Sequence, residues 1–184
     1  MERKSLRALT ESAVCVALAL ALSYAKIPIG LAFGGFGGSI DLVMIPLIVL
    51  AVRRGLGWGL GAGLVFGTIK YFIGHHADIS WISIVFDYSV AYMFVGFAGL
   101  FRGKYRLLPL AALVGCVARF VVHYISGVTV YAQWMPEEFM GVTKLTPALY
   151  SLLYNGTYML PNTILAVALC FVLRRPVEKI KVEW

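Results

Sequence analysis

Long apolar stretches alternate with short polar connections along the whole chain. The stretches cover residues 6–27, 40–52, 56–73, 79–101, 107–131 and 146–173. All but the second approach the ~20 residues that an α-helix needs to cross the hydrocarbon core of a bilayer. The second is short and would be tilted, or extended by the glycine-rich approach GGFGGS. The pattern predicts an all-α integral membrane protein with six transmembrane helices, forming one transmembrane domain over residues 1–184.

Composition supports a membrane location. Hydrophobic residues make up 60% of the chain, against roughly 45–50% in soluble domains. A soluble globular protein is therefore excluded. The opening MERKSLRALTESAVCVALALALSYA also fits a secretory signal peptide. Because the rest of the chain is itself apolar enough to span a membrane, we expect this segment to stay as the first helix.

Basic residues cluster in alternate connections. They lie at the N-terminus, at Arg53 and Arg54, between residues 102 and 106, and between residues 174 and 181. Cytoplasmic loops of membrane proteins collect Lys and Arg, so an even number of crossings with both termini in the cytoplasm satisfies every cluster. The net charge of +7 then reflects topology and contact with anionic lipid of the cell membrane. Nucleic acid is a poor alternative partner.

No motif in the chain indicates nucleotide or metal chemistry. A P-loop is absent, so energy from ATP would have to come through a partner. Cys15, Cys116 and Cys170 lie inside apolar stretches without paired spacing and are interpreted as small apolar residues. The adjacent His75 and His76 are a weak metal signal and are most simply loop residues. Neither a metal nor a cofactor is therefore predicted.

Four ionisable side chains fall inside or at the outer edge of the predicted helices: Asp41, Asp87, Arg119 and His123. A charge near the bilayer centre costs ~2.5–3.5 kcal/mol even on a lenient insertion scale, so such residues are normally paired and functional. Arg119 and His123 are spaced i, i+4 and share one helix face. With two acids and one fixed cation, one carboxylate has no cationic side chain to pair with, and a cationic ligand would neutralise it. The alternative is that Arg119 only pairs with Asp41 or Asp87 and orients the helices.

Aromatic residues surround the same level of the predicted membrane. FDYSVAY places tyrosines beside Asp87, and YSLLYNGTYMLPN places them beside Asn155. Ring faces next to directed hydrogen-bond groups suit a planar polar heterocycle, and a cationic one gains further from cation–π contact. A membrane Asn can instead bond to a neighbouring helix, and Trp and Tyr also form ordinary interfacial belts. Both alternatives stay open.

Four separated blocks carry a resemblance to a known family. They are IPLIVLAVRRGLGWGLGAGLVFGTIKYFIG, DYSVAYMFVGFAGLFRGK, RFVVHYISGVTVYAQW and ALYSLLYNGTYMLPN. Together they resemble the thiamine-specific substrate-binding subunits of energy-coupling factor transporters, over nearly the whole chain. The resemblance implies six membrane helices with cytoplasmic ends. It also implies a thiamine site near the outer surface, under the connection between the first two helices.

The resemblance assigns roles to individual residues. The substrate contacts that it implies are Asp87, Tyr88, His123, Tyr131, Tyr150, Asn155, Asp41, Phe36 and Trp134. Of these, His123 and Tyr131 would flank the thiazolium ring, and Tyr150 and Asn155 would bind the aminopyrimidine side.

Two further features follow from the resemblance. Asp41 would form a structural ion pair with Arg119. Some family members have Trp where this chain has Tyr131, and here Phe36 or Trp134 would supply the missing ring.

The resemblance further implies a transporter with several subunits. Ala13, Ala17 and Ala21 repeat every four residues, a spacing that lets another helix approach closely. By resemblance this face docks on a transmembrane coupling subunit driven by two ATPase subunits, which alone use ATP. The alternative is that the alanines pack within this chain.

Substrate capture without chemistry is expected, so no catalytic residue is assigned. Three rival functions stay open. They are a substrate-binding subunit for another vitamin or precursor such as riboflavin or hydroxymethylpyrimidine, a stand-alone proton-coupled carrier, and an intramembrane enzyme that uses His123 with Asp87.

Overall fold

Helices form most of the described structure. The computed structural model describes residues 3–29, 37–73 and 81–180. Its α-helices are α1 (Arg3–Leu22), α2 (Met44–Arg54), α3 (Leu56–Ile73), α4 (Trp81–Ser83), α5 (Ala91–Val95), α6 (Leu108–Thr129) and α7 (Pro147–Lys179). A π-helix over Ile84–Val90 joins α4 to α5, and 3-10 helices cover Gly96–Phe101, Tyr105–Leu107 and Ala132–Trp134.

Five helical spans among the described residues are long and apolar enough to cross a membrane. They are Arg3–Leu22, Leu56–Ile73, Ile84–Phe101, Tyr105–Thr129 and Pro147–Lys179. Helix α2 lies in the second predicted stretch and has only 11 residues, too few for a full crossing by itself. The membrane-spanning character predicted from hydropathy is thus confirmed, whereas the sixth crossing stays a prediction.

A short two-stranded sheet departs from the all-α prediction. Strand β1 (Ile27–Pro28) pairs antiparallel with β2 (Ser39–Ile40), with Ile27 opposite Ile40. Helix α1 ends at Leu22, before the end predicted at residue 27. The reason is that the chain turns after the helix, and the backbone groups of β1 then find their hydrogen-bond partners in β2.

Helix α2 lies at the centre of the bundle. Its Leu47, Ile48 and Leu50 are at most 1% exposed, and it contacts α1, α3, α6 and α7. A helix that is apolar on all sides packs inside other helices. Large apolar side chains that point outwards, such as Leu6 of α1 and Phe171 of α7, suit contact with lipid instead.

Glycines on α3 bring the fourth span into close contact. Gly59, Gly63 and Gly67 are spaced four residues apart, the small-residue pattern of closely packed membrane helices. A Cβ atom on Gly63 would lie 2.2 Å from the carbonyl oxygen of Tyr92, and one on Gly67 would lie 2.2 Å from that of Tyr88. The absence of side chains at these positions therefore lets the π-helix pack directly on α3.

The basic clusters come together at one end of the bundle. Arg53 of α2 pairs through Nε with Glu11 of α1, and its Nη1 donates at 3.0 Å to the carbonyl oxygen of Ile180, just after α7. The backbone N–H of Gly103 donates at 2.9 Å to the carbonyl oxygen of Val52. The first turns of α1 and the last turn of α7 therefore lie at the same end of the bundle.

Candidate ligand-binding site

Asp87 lies in the π-helix Ile84–Val90. Ser126 Oγ donates to its Oδ2 at 2.9 Å, and His123 Nδ1 lies 3.0 Å from its Oδ1. The side chain of Asp87 is 17% exposed, so the carboxylate is only partly buried. Wide π turns are frequent at functional sites. Ser126 was missed in the sequence, although its position three residues after His123 places it on the same face of α6.

Arg119 extends this chain of contacts along α6. Its Nε donates to His123 Nε2 at 3.2 Å, and its guanidinium carbon lies 4.0 Å from the centroid of the Tyr92 ring. Arg119 and His123 are each 6% exposed. Nη1 of Arg119 has no hydrogen-bond partner among the described residues. The buried face of α6 thus carries a guanidinium, an imidazole and a hydroxyl in succession, ending at Asp87.

The ion pair of Asp41 differs from the one predicted. Its Oδ2 lies 3.4 Å from Nζ of Lys70 on α3, and Lys70 also donates to the hydroxyl of Tyr92 at 2.6 Å. Within the described part of the chain, Asp41 and Arg119 form no ion pair. The predicted pair took no account of Lys70. This residue stands near the end of an apolar stretch, but α3 directs it inwards, where its side chain is only 10% exposed.

The charges around the site are more evenly balanced than the residue count predicts. Among the described residues of this region, the two cations Lys70 and Arg119 balance the two acids Asp41 and Asp87, so the acids do not outnumber the fixed cations. Asp87 differs from Asp41 in its basic neighbours. Among the described residues, His123 is the one basic side chain within ion-pair distance of it. No described Lys or Arg therefore lies beside the Asp87 carboxylate. The negative charge that a ligand could neutralise is set by where the charged residues lie, and not by how many there are.

Asp41 anchors the start of α2. Its Oδ1 accepts from the backbone N–H of Val43 at 3.3 Å, and its Oδ2 accepts from Ser39 Oγ at 3.0 Å. Its own N–H donates to Asn162 Oδ1 at 2.9 Å, and Asn162 Nδ2 donates to the carbonyl oxygen of Ser39 at 2.7 Å. Asn162 was missed in the sequence. These bonds connect β2 to α7. A contact between Asp41 and the substrate stays a prediction.

Aromatic rings form a ladder along α7. Tyr150 and Tyr154 stack with their centroids 5.7 Å apart, and Tyr158 follows at 6.1 Å from Tyr154. Phe139 lies beyond the outer end, 5.3 Å from Tyr150, and His123 meets the inner end, 5.9 Å from Tyr158. The spacing of four residues marks one helix face and was the available signal for Tyr154 and Tyr158. The ladder leads from the connection before α7 to the partner of Asp87.

Tyr154 links this ladder to the backbone that precedes β2. Its hydroxyl accepts from the N–H of Gly37 at 2.9 Å and donates to the carbonyl oxygen of the same residue. Gly38 has φ +95°, and a Cβ atom there would lie 2.5 Å from the ring of Tyr158. The backbone at these two glycines therefore lies directly on the aromatic rings.

The protein itself engages both groups of the Asn155 side chain. Nδ2 donates to the carbonyl oxygens of Ser151 at 2.9 Å and His123 at 3.3 Å, and Oδ1 accepts from the hydroxyl of Tyr158. The bond to His123 joins α7 to α6, as the structural alternative for a membrane Asn expects. Contact of Asn155 with an aminopyrimidine stays a prediction.

Other predicted residues lie at the edges of this region. The ring of Tyr88 is 5.4 Å from that of Tyr71 on α3. Tyr131 and Trp134 follow α6 with their rings 6.3 Å apart, and Trp134 is 38% exposed. The structure thus brings Asp87, His123 and the tyrosine ladder together, with Tyr131 and Trp134 beyond the end of α6.

Some predictions concern residues that the structure does not describe. Phe36, His75 and His76 lie outside the described ranges. Within those ranges, no group of three or more His, Cys, Asp or Glu side chains is placed to hold a metal ion.

Comparison with known proteins decides the family. The family model described as thiamine transporter protein matches residues 9–182, nearly the whole chain. The chain belongs to this thiamine transporter family. The thiamine transporter ThiT of Bacillus subtilis is 31% identical to it over 151 residues, which cover 74% of this chain and 75% of the relative. ThiT of Lacticaseibacillus paracasei is 27% identical over 188 residues, covering 94% and 89%.

A solved structure agrees with this assignment. ThiT from Listeria monocytogenes matches with a TM-score of 0.80 at 26% identity, over 95% of this chain and 96% of that one. The resemblance drawn from the four sequence blocks is therefore confirmed. Membership of the thiamine transporter family and several apolar spans together make the chain a multi-pass protein of the cell membrane.

Proposed function

We propose that this member of the thiamine transporter family binds thiamine at the Asp87 site and delivers it into the cell. Thiamine joins an aminopyrimidine ring to a thiazolium ring with a permanent positive charge. The observation that carries the proposal is the position of Asp87, a carboxylate without a described Lys or Arg partner, beside His123 at the inner end of the tyrosine ladder. A partly buried anion next to ring faces suits a flat cation, which gains from both.

Each side chain of the site recognises a different part of thiamine. Asp87 balances the thiazolium charge, and His123 lies against the same ring. Tyr150 offers a ring face towards the aminopyrimidine, and Tyr131 and Trp134 supply further ring faces near the end of α6. Capture and release complete this function, so neither His123 nor Asp87 is assigned a reaction.

We further propose that the protein is the substrate-binding subunit of an energy-coupling factor transporter. Ala13, Ala17 and Ala21 are all exposed on α1, so no described residue covers this small-residue face, and a coupling subunit can approach it closely. Two ATPase subunits would then drive inward release by hydrolysing ATP. The basic end of the bundle would face the cytoplasm, with α2 completing six crossings and both termini inside.

Replacement of Asp87 by Asn tests the site. This change removes the charge and keeps the shape, so thiamine should bind about 10- to 100-fold more weakly, as expected for loss of one close charge–charge contact. Titration of the purified protein, followed by Trp fluorescence, measures the affinity. Glu137→Gln removes an exposed carboxylate and should bind like the wild type. Equal affinity of Asp87→Asn and wild type would contradict the proposal.

The same titration separates the rival functions. Tight binding of riboflavin or hydroxymethylpyrimidine with none of thiamine would overturn the choice of ligand. Thiamine uptake that persists in cells lacking the coupling and ATPase subunits would favour a proton-coupled carrier. Conversion of thiamine by the isolated protein would favour an enzyme.

A further inference from the structure

The contacts of His123 determine which of its ring nitrogens carries a proton. A guanidinium is a donor only and stays charged, so the Arg119 Nε–H that points at His123 Nε2, at 3.2 Å, needs an acceptor there. A ring nitrogen that accepts a hydrogen bond carries no proton. The single proton of the neutral imidazole is therefore on Nδ1, which lies 3.0 Å from Asp87 Oδ1 and donates to it.

The same geometry opposes a charged imidazole. A proton on Nε2 would set two N–H donors against each other and place a second positive charge beside the guanidinium. A neutral His123 donates a hydrogen bond to Asp87 without cancelling its charge. An imidazolium would form an ion pair with Asp87 and neutralise it.

We propose that Arg119 is a positioning residue that holds His123 in its neutral Nδ1–H form, and so keeps Asp87 open to a cationic ligand. This inference rests on the proposed function only for the identity of that ligand. The role of Arg119 differs from that of an ion-pair partner for Asp41, since Asp41 already pairs with Lys70.

Each helix around His123 contributes to this arrangement. Asp87 faces it from the π-helix, and Tyr158 of α7 lies edge-on at 5.9 Å between ring centroids. Lys70 of α3 acts on it electrostatically as a further cation. Tyr92 of α5 holds the guanidinium of Arg119, at 4.0 Å from its centroid. Among the described residues, the nearest groups besides Asp87 are thus cationic or uncharged, and they disfavour an imidazolium.

Nitrogen NMR of the full-length protein, with its histidines labelled with ¹⁵N, tests the assignment without any ligand. The chain has three histidines, and a His123→Asn sample identifies the signals of His123. We expect a protonated Nδ1 and an unprotonated Nε2 from pH 5.5 to pH 8. A proton on Nε2 of the wild type anywhere in this range, in either the neutral or the charged ring, would overturn the proposal.

Substitution of Arg119 tests the consequence for binding. In Arg119→Met, the guanidinium donor that faces His123 Nε2 is gone, so this nitrogen takes up a proton more readily than in the wild type. The imidazolium then competes with the thiamine cation for Asp87. The dissociation constant of the variant should therefore rise as the pH falls, by at most about tenfold per pH unit for one coupled proton, whereas that of the wild type should stay level.

Two further variants control this experiment. Arg119→Lys keeps a charged donor and should retain the level profile. Adding His123→Asn to Arg119→Met removes the titrating group and should restore a level profile at reduced affinity. Identical pH profiles for Arg119→Met and wild type would overturn the proposal. Failure of the wild type to bind thiamine would instead refute the proposed function, and the NMR experiment would still decide the tautomer.

Discussion

At the scale of single residues, Tyr92 organises two buried cations. Its ring lies 4.0 Å from the guanidinium carbon of Arg119 and 4.9 Å from Lys70 Nζ, and its hydroxyl accepts from Lys70. Phe66 meets the same ring edge-on at 4.7 Å. Cation–π contacts gain strength where water is excluded, and Tyr92 is only 2% exposed. The tyrosine therefore lets two cations lie inside the membrane while Asp41 pairs with one of them.

Lys70→Met should strongly destabilise the protein. The change leaves Asp41, whose side chain is 2% exposed, as an unpaired buried charge, and breaking a buried pair in this way costs about 3–5 kcal/mol. Thermal unfolding in detergent measures the effect. The double variant Asp41→Asn with Lys70→Met should recover part of the loss, and Lys144→Met, at an exposed position, should be neutral. If Lys70→Met unfolds at the same temperature as Lys144→Met, the ion pair does not contribute.

At the scale of elements, the glycine face of α3 determines where the π-helix lies. Gly67 faces the backbone of Tyr88, directly after Asp87, and Gly63 faces that of Tyr92. The carboxylate is thus positioned by backbone packing as well as by its own hydrogen bonds. The π-helix held against this glycine face keeps the Asp87 carboxylate directed towards α6.

Gly63→Ala and Gly61→Ala form a matched pair on α3. A Cβ atom at Gly63 would lie 2.2 Å from a backbone oxygen, whereas one at Gly61 meets nothing within 4 Å. Overpacking costs about 1–3 kcal/mol, so Gly63→Ala should lower the melting temperature. Gly61→Ala should leave it unchanged or raise it slightly, since Ala is the better helix former. A stable Gly63→Ala protein with normal thiamine affinity would show that the close approach is dispensable.

At the scale of the whole molecule, the two ends of the bundle differ in chemistry. Glu11, Arg53 and Arg54 form a cluster of charges at one end. The Asp87 site and the aromatic ladder lie towards the other end, where α6 finishes and α7 begins. This separation lets one end hold a ligand while the outer face of α1 remains open to a partner.

Ala17→Leu should separate binding from transport. A large side chain on the exposed alanine face would keep a coupling subunit at a distance, but it touches no part of the ligand site. Thiamine affinity of the purified subunit should be unchanged, and uptake into cells that express the complete transporter should be lost. Ala168→Leu enlarges an exposed alanine on α7 and should leave both normal. Normal uptake by Ala17→Leu would exclude this face as the docking surface.

The amino-acid sequence by itself predicts the membrane spans, several site residues and the family of this protein. The lengths of the apolar stretches predict the membrane spans, because a helix must bury its backbone groups to cross lipid. Asp87, Arg119 and His123 are recognisable as candidate site residues, because burying an ionisable side chain in a membrane costs free energy and such residues are usually functional. The blocks around them were also sufficient to recognise the family.

Only the tertiary structure decided which of these groups are partners. Lys70 reaches Asp41 and His123 reaches Asp87 because of how α3 and α6 are rotated and how closely the glycines let the helices approach. The periodicity of a single helix gives its apolar face but not its rotation against a neighbour. The Asn162 anchor and the hydrogen bond from Asn155 to the backbone of His123 depend on that relation between elements as well.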